Sequence, residues 1–444
     1  MRLFLLFVIM QISLCAIAQN DNAYRSTENT HYWQNRKPFA GYWQQDVAYK
    51  IDARIDEKTR VIEATEELTY WNNSPDALPF VYFHLYQNAF TKGSYLQELH
   101  RVNNQPIRRL GTYQQQGLGT LVEDMQVNGK KVKVELDNTL MKVYLPQPLK
   151  PGESVVFTMK FATFFDTGDF RRRMAVYMSS GFPHFNGVHW YPRISVYDIK
   201  KGWDTDQHLN KELYGDYGLF DVKLNFANNY IVEATGAIQN EQEVLPAELR
   251  KKLDIKNFAN KPWNEKPSTI IPYDSTKRKT WHYIANNVHD FAFTADPAYR
   301  IGETVWNGVR CIALVNESHA AKWQTASAYV AKIIQTFSED FGMYEYPKMV
   351  AADANDGMEY PMLTLDGGAE PDFHGLFVHE IAHNWFYGMI GNNETYRAAL
   401  DEGFTQFLTS WGLTKIDGDT MIETKEKNKY KRNHREPPYM ELKK

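Results

Sequence analysis

His379, Glu380, Ile381, Ala382 and His383 bring two imidazoles and a carboxylate into five consecutive residues. On a helix, residues four apart share one face, so both imidazoles can point at one metal ion. Glu380 falls beside that face, where a carboxylate serves as proton acceptor for water rather than as a ligand. Eighteen residues separate His383 from Glu402. That length fits a helix end, a short loop around Gly391, Asn392 and Asn393, and the start of an antiparallel helix that returns Glu402 to the metal. Two histidines and one glutamate leave a fourth position open, the ligand pattern of a catalytic rather than a structural zinc site. The chemistry expected is hydrolysis, in which one zinc ion polarises a carbonyl and acidifies water while Glu380 moves the proton. Asp401 is positioned either to orient a ligand or to form an ordinary salt bridge. His374, five residues before His379, falls off the ligand face.

The elements around the motif follow from periodicity. Phe377, Ile381, Ala382 and Trp385 give the motif helix, expected over 373–389, a face for a core. A second helix is expected over 395–416. Trp323, Ala326, Val330, Ile334, Phe337 and Phe341 recur at steps of three and four, which predicts a helix over 318–341 capped by Ser318. Strands are expected at 349–352 and 358–365, ended by Asp366, Gly367 and Gly368. Upstream, Val47, Tyr49, Ile51, Ala53 and Ile55 alternate with polar residues. So do Ile62, Ala64, Leu68 and Tyr70, with one interruption at Glu66. Further strands are expected near 132–136, 143–145, 155–161, 219–226, 231–234, 281–285 and 291–294. Residues 238–280 are charged and proline-punctuated, and most of the segment reads as a surface insertion, with a short helix at 247–253. The expected organisation is multidomain: an extended lead-in over 19–44, an all-β domain over 45–300, and an α+β domain over 301–444.

The chain of 444 residues is 43% hydrophobic and 14% aromatic, enough for a sizeable core and too aromatic for long disorder. A net charge of −4 implies no nucleic-acid partner. The first eighteen residues read as an export leader: Arg2 precedes an apolar stretch, and Ala16, Ile17 and Ala18 present small residues for cleavage after Ala18. The run is shorter than a membrane span, and Leu14 before Cys15 does not fit a lipoprotein signal. No later stretch is apolar enough to cross a bilayer. The expected location is therefore periplasmic or extracellular. Cleavage would leave Cys311 alone, a buried small hydrophobe without an internal disulfide.

His379-Glu380-Ile381-Ala382-His383-Asn384-Trp385-Phe386, followed by Glu402-Gly403-Phe404, resembles the M1 family of zinc aminopeptidases. The match is strong over about 355–410, and domain order extends a weaker similarity over most of the chain. The resemblance implies an N-terminal all-β saddle-like domain and a thermolysin-like catalytic domain, with His379, His383 and Glu402 on one zinc ion and Glu380 as general base. It implies peptides as substrates. Asp356-Gly357-Met358-Glu359-Tyr360 keeps the Met-Glu of the family's amine-binding strand. By resemblance, Glu359 anchors the substrate's α-amine and Gly357 lines the cleft. The family's downstream tyrosine finds no matching context in Tyr430 or Tyr439, so the expectation is a catalytic domain incomplete at its C-terminal end, or a variant with altered catalysis. Segments 187–193 and 214–218 look like parts of bacterial relatives; Arg193 and Glu212 are either substrate contacts or packing, packing being the default. Two alternatives stay open: a zinc endopeptidase, and a metal-stabilised protein that binds peptide or glycan without cleaving it.

Overall fold

The computed structural model describes residues 22–418 except 107, 172 and 180. The expected leader, Tyr430, Tyr439 and the charged run 425–435, which reads as a solvated face, lie outside the described residues. Asp46–Asp56 and Val61–Trp71 pair antiparallel along their whole length, Asp46 opposite Trp71 and Asp56 opposite Val61. Their alternating apolar side chains, Tyr49, Ile51, Ile55, Ile62, Leu68 and Tyr70, are buried. Both strands belong to an eight-stranded sheet, in the order Ala237–Ile238, Arg278–Val288, Gly218–Ala227, Asp46–Asp56, Val61–Trp71, Ser154–Phe164, Thr120–Val127 and Lys130–Lys131. Only the Asp46–Asp56 and Gly218–Ala227 pair is parallel. Two four-stranded sheets and a two-stranded ribbon complete this β-rich part.

One expectation fails here. The lead-in is not extended: it forms 3₁₀ turns at Ala23–Arg25 and Trp33–Arg36. Tyr24, Tyr32 and Trp33 are buried, and the Tyr32 hydroxyl and Trp33 indole donate to the Asp46 carboxylate at 2.7 and 2.8 Å. Aromatic residues spaced this closely find a partner on the sheet instead of solvent. The charged segment 238–280 lies mostly at the surface, with Leu253, Ile255 and Phe258 entering the core. Its short helix is Ala247–Leu253, as the pattern predicts.

Sheet membership changes after Phe293–Asp296. The next strands form a five-stranded sheet in the order Tyr299–Trp306, Val309–Asn316, Lys348–Asp353, Leu363–Asp366 and Met358–Tyr360. Ala326–Phe341 and Phe373–His383 pack against it, and Asp401–Asp417 packs on those two helices. Gly412 lets them close, since a Cβ there would stand 2.8 Å from Val378 and 2.9 Å from Phe337. One continuous cluster of buried apolar residues runs from Val47 to Leu413, so the β-rich part and the helical part share a core. Among the described residues, no helix is long and apolar enough to cross a membrane.

The boundaries of these elements differ from the periodic reading for local reasons. The expected helix over 318–341 is divided into a 3₁₀ segment Glu317–Lys322 and the α-helix Ala326–Phe341. Asn316, not Ser318, is the cap, its side chain accepting from the Ser318 amide at 3.2 Å. The single strand expected over 358–365 is two, because Pro361 has no amide to donate and Met362 adopts a left-handed φ of 66°. The helix carrying Glu402 begins at Asp401. Asn393 holds the preceding segment in turns, accepting from the Tyr396 amide at 2.9 Å through its side chain.

Candidate active site

The motif helix Phe373–His383 buries Phe377, Val378, Ile381 and Ala382. That fixes its rotation and turns His379 and His383 the same way. It then widens into a π-helical turn, Asn384–Met389. The turn is clamped from the β-rich part. Tyr217 hydroxyl lies 3.1 and 2.9 Å from the Tyr387 and Gly388 carbonyls, and Tyr346 hydroxyl donates to Gly388 at 2.8 Å. Such turns satisfy their loosened carbonyls through side chains and occur frequently at functional sites.

His379 Nε2 and His383 Nε2 lie 3.3 Å apart. Glu402 Oε2 stands 3.4 Å from the first and 3.8 Å from the second. Ligands about 2.1 Å from a tetrahedral zinc ion are separated by roughly 3.4 Å, so the three donors are spaced for one ion. The hydrogen-bond network adds an independent reason. Thr409 hydroxyl donates to the Thr405 carbonyl at 2.8 Å, so its oxygen accepts from His379 Nδ1–H at 3.1 Å. Asp401 accepts from His383 Nδ1–H in a very short bond. When both rings are neutral their protons are thereby assigned to Nδ1, and two bare Nε2 lone pairs face each other. A cation between them removes that repulsion, so this donor set fits zinc.

Electrostatics agree with the geometry. Burial alone pulls the His383 pKa down, but the Glu359, Asp401 and Glu402 carboxylates together push it up to about 9. The two imidazoles facing it, His379 first, hold the Glu402 carboxyl below its ordinary value. Burial is the largest influence on Asp401, raising it to about 6 against the pull of His383. Glu380 is buried, and desolvation, with Glu359 and Asp366 nearby, raises its carboxyl well above the ordinary range.

The amine-binding candidates lie beside this triad. Glu359 sits in the terminal strand Met358–Tyr360, opposite Thr364. Its ligand atom, with those of His383 and Asp401, falls in a group whose members are all within 4.8 Å of one another. Glu359 Oε1 is buried without a hydrogen-bond partner among the described residues. A Cβ on Gly357 would stand 3.1 Å from Glu380 Oε1, so the missing side chain keeps space open in front of that carboxylate.

Other residues named from the chain resolve differently. Arg193 is interior, bonded to the His289 carbonyl and 3.3 Å from Asp290, which makes it packing. His374 binds Asp417 and Glu370, away from the triad. Phe404, next but one to Glu402, is about half exposed and stacks on Phe386 at 4.7 Å. Reading the chain missed Thr405, Thr409, Arg173 and Glu394. Glu402, Thr405 and Thr409 recur at helical spacing, a signal that was available. Arg173, bonded to Asp356 at 2.7 Å, and the buried Glu394 lie outside any such pattern.

No family model and no curated protein matches the chain. Solved structures do. An M1 zinc metallopeptidase from Deinococcus radiodurans superposes with a TM-score of 0.55 at 15% identity, over 86% of this chain and 73% of that one. A glutamate-to-alanine mutant of an M1 zinc metallopeptidase from the same organism, bound to the substrate Tyr-Ser-Ala, gives 0.57 at 15%, over 89% and 76%. A two-domain M1 mutant bound to L-arginine gives 0.54 at 16%, over 86% and 74%. The fold is that of the M1 zinc metallopeptidases. Within this M1 fold the described residues are sheet-rich with few helices, and the helices that exist carry the triad.

Proposed function

We propose that the protein is a zinc aminopeptidase that removes residues from the N-termini of peptides. The observation that carries this reading is Glu359, a buried carboxylate beside His383 with one oxygen unpartnered among the described residues. A carboxylate held there selects a cationic group, and the N-terminal ammonium of a peptide is the one every such substrate carries. One extended residue spans only about 3.3 Å, so an amine bound at Glu359 leaves the first peptide carbonyl as the one within reach of the triad.

Zinc held by His379, His383 and Glu402 supplies Lewis acidity toward that carbonyl and toward water. Glu380 carries the proton. Its burial makes it a better base than an exposed glutamate, so it accepts a proton from the attacking water and returns it to the leaving amine. Asp401 and Thr409 keep the two rings in the tautomer that presents Nε2. Gly357 leaves room for the substrate in front of Glu380. The neighbours bound to a tripeptide and to a free amino acid hold ligands with such an amine, which supports the reading. An endopeptidase needs an uncharged path past position 359, and a protein that only binds has no use for a base at 380. Export is part of the same proposal and rests on the leader-like residues 1–18.

The test is mass spectrometry of one peptide mixture, free and N-acetylated, after exposure to the zinc-loaded protein. Stepwise loss of first residues from the free peptides alone is expected. Internal cuts in both sets would make the protein an endopeptidase.

A further inference from the structure

A cavity of about 820 Å³ lies where the lead-in, the β-rich part and the helical part meet. Its described lining residues include no member of the metal triad, and neither Glu359 nor Glu380. It is nevertheless joined to the centre through the residues that line it. Trp385 and Met389 belong to the π-helical turn that follows His383. Tyr217 and Tyr346, whose hydroxyls hold the Gly388 carbonyl of that turn at 2.9 and 2.8 Å, line it as well. So does Met362, whose amide donates to Asn384 Oδ1 at 3.1 Å, and Asn384 directly follows His383. A molecule held here touches the turn that ends the motif helix and leaves the metal ligands free.

The lining selects the ligand. Trp33, Tyr42, Trp385 and Met389 offer flat, apolar and adaptable surface, which suits a bulky apolar body. Three charged residues line the cavity. Two of them, His31 and Glu345, face each other at 3.4 Å. The third, Arg36, is exposed and has neither an ion pair nor a hydrogen bond from its side chain among the described residues. Its guanidinium is therefore open to a carboxylate, which it takes through paired N–H donors. Asn286 and Asn287 add carboxamides, and Asn286 Oδ1 has no hydrogen-bond partner among the described residues. Carboxamides match peptide groups, which an alkyl chain lacks. Apolar bulk, peptide groups and one carboxylate together describe a short peptide with large apolar side chains and a free C-terminus. We propose that this cavity is a second peptide-binding site, separate from the catalytic centre, that holds short apolar peptides with their C-terminal carboxylate on Arg36.

The probe is N-acetyl-Leu-Phe, which has no free amine for Glu359 to anchor. Titration calorimetry gives its Kd as the free acid and as the C-terminal amide. The zinc-loaded full chain is compared with its Arg36→Gln, Arg36→Lys and Glu359→Gln variants, with zinc content and Tm recorded for each. A charge-assisted hydrogen-bond pair predicts that the free acid binds about tenfold or more tighter than the amide. Arg36→Gln should remove that difference and Arg36→Lys should retain part of it. Glu359→Gln, at the other site, should leave the Kd within about twofold. Added to a turnover assay with a free-amine peptide, the probe should leave KM unchanged. A KM that rises with probe concentration, or a preference for the acid that survives Arg36→Gln, would put the carboxylate at the metal and overturns the proposal. So does a free acid that does not bind, and so does decanoate binding as tightly as the peptide, since decanoate offers no peptide group. Turnover without the probe tests the aminopeptidase reading separately, so either reading can fail without the other.

Discussion

Asp401 accepts a hydrogen bond from the ring of His383 that faces away from the other ligands, and Thr409 does the same for His379. These two contacts decide which nitrogens are available to a metal. They also make binding a competition with protons. Burial works against a charge on His383, but three surrounding carboxylates override it and push its pKa to about 9 in the metal-free site. At neutral pH the metal must displace that proton, so affinity should fall as pH falls below 9. Asp401→Asn removes one of the three carboxylates and the charge that fixes the tautomer. We expect it to weaken zinc binding about 10–100-fold. It should also shift the pH dependence to lower pH, because the His383 proton is then held less tightly. Zinc release to a competing chelator between pH 6 and 9 measures both. An unchanged affinity would mean that Asp401 is only a neighbour.

At the scale of the elements, the strand Val61–Trp71 contains a violation of its own pattern. Ile62, Ala64 and Leu68 face the core, and so does Glu66, fully buried with neither carboxylate oxygen bonded among the described residues. Desolvation raises its carboxyl well above the ordinary value of 4.5. The folded state therefore binds this proton more tightly than the unfolded chain. Stability from this group is complete below the unfolded pKa and declines as pH rises toward the folded one. Glu66→Gln should flatten that slope and make the protein more stable than the parent at pH 8, with little difference at pH 4. Urea unfolding at the two values is the measurement; a variant less stable at both would show that the carboxylate has a partner. The sequence pattern made this strand legible, and made Glu66 visible as its exception. It also made the motif helix legible, because Phe377, Ile381 and Ala382 needed a core. Helix starts were less so. Caps at Asn316 and turns at Asn393 depend on single side-chain hydrogen bonds, and amphipathic spacing carries no trace of them.

For the whole molecule, the site is assembled across parts that are far apart in the chain. Tyr217 from the β-rich part clamps the π-helical turn, and Arg173 from the same part bridges to Asp356 beside the terminal strand. The metal triad was legible because all three ligands lie within 24 residues on two adjacent helices, counted from His379 to Glu402. The polar pocket lined by Arg171, Arg173, Tyr177, Asn210 and Asp356 was not, because its walls come from three separate stretches of chain with no shared periodicity to link them. The central claim is that Glu380 moves the proton while His379, His383 and Glu402 hold the metal. The most direct measurement is turnover of a short peptide with a free amine by the parent and by Glu380→Gln, with zinc content determined on the same samples. A base worth about 10²–10⁴-fold in rate predicts that the variant keeps one zinc per chain and loses at least that much activity. Activity that survives the substitution with zinc in place would contradict the account.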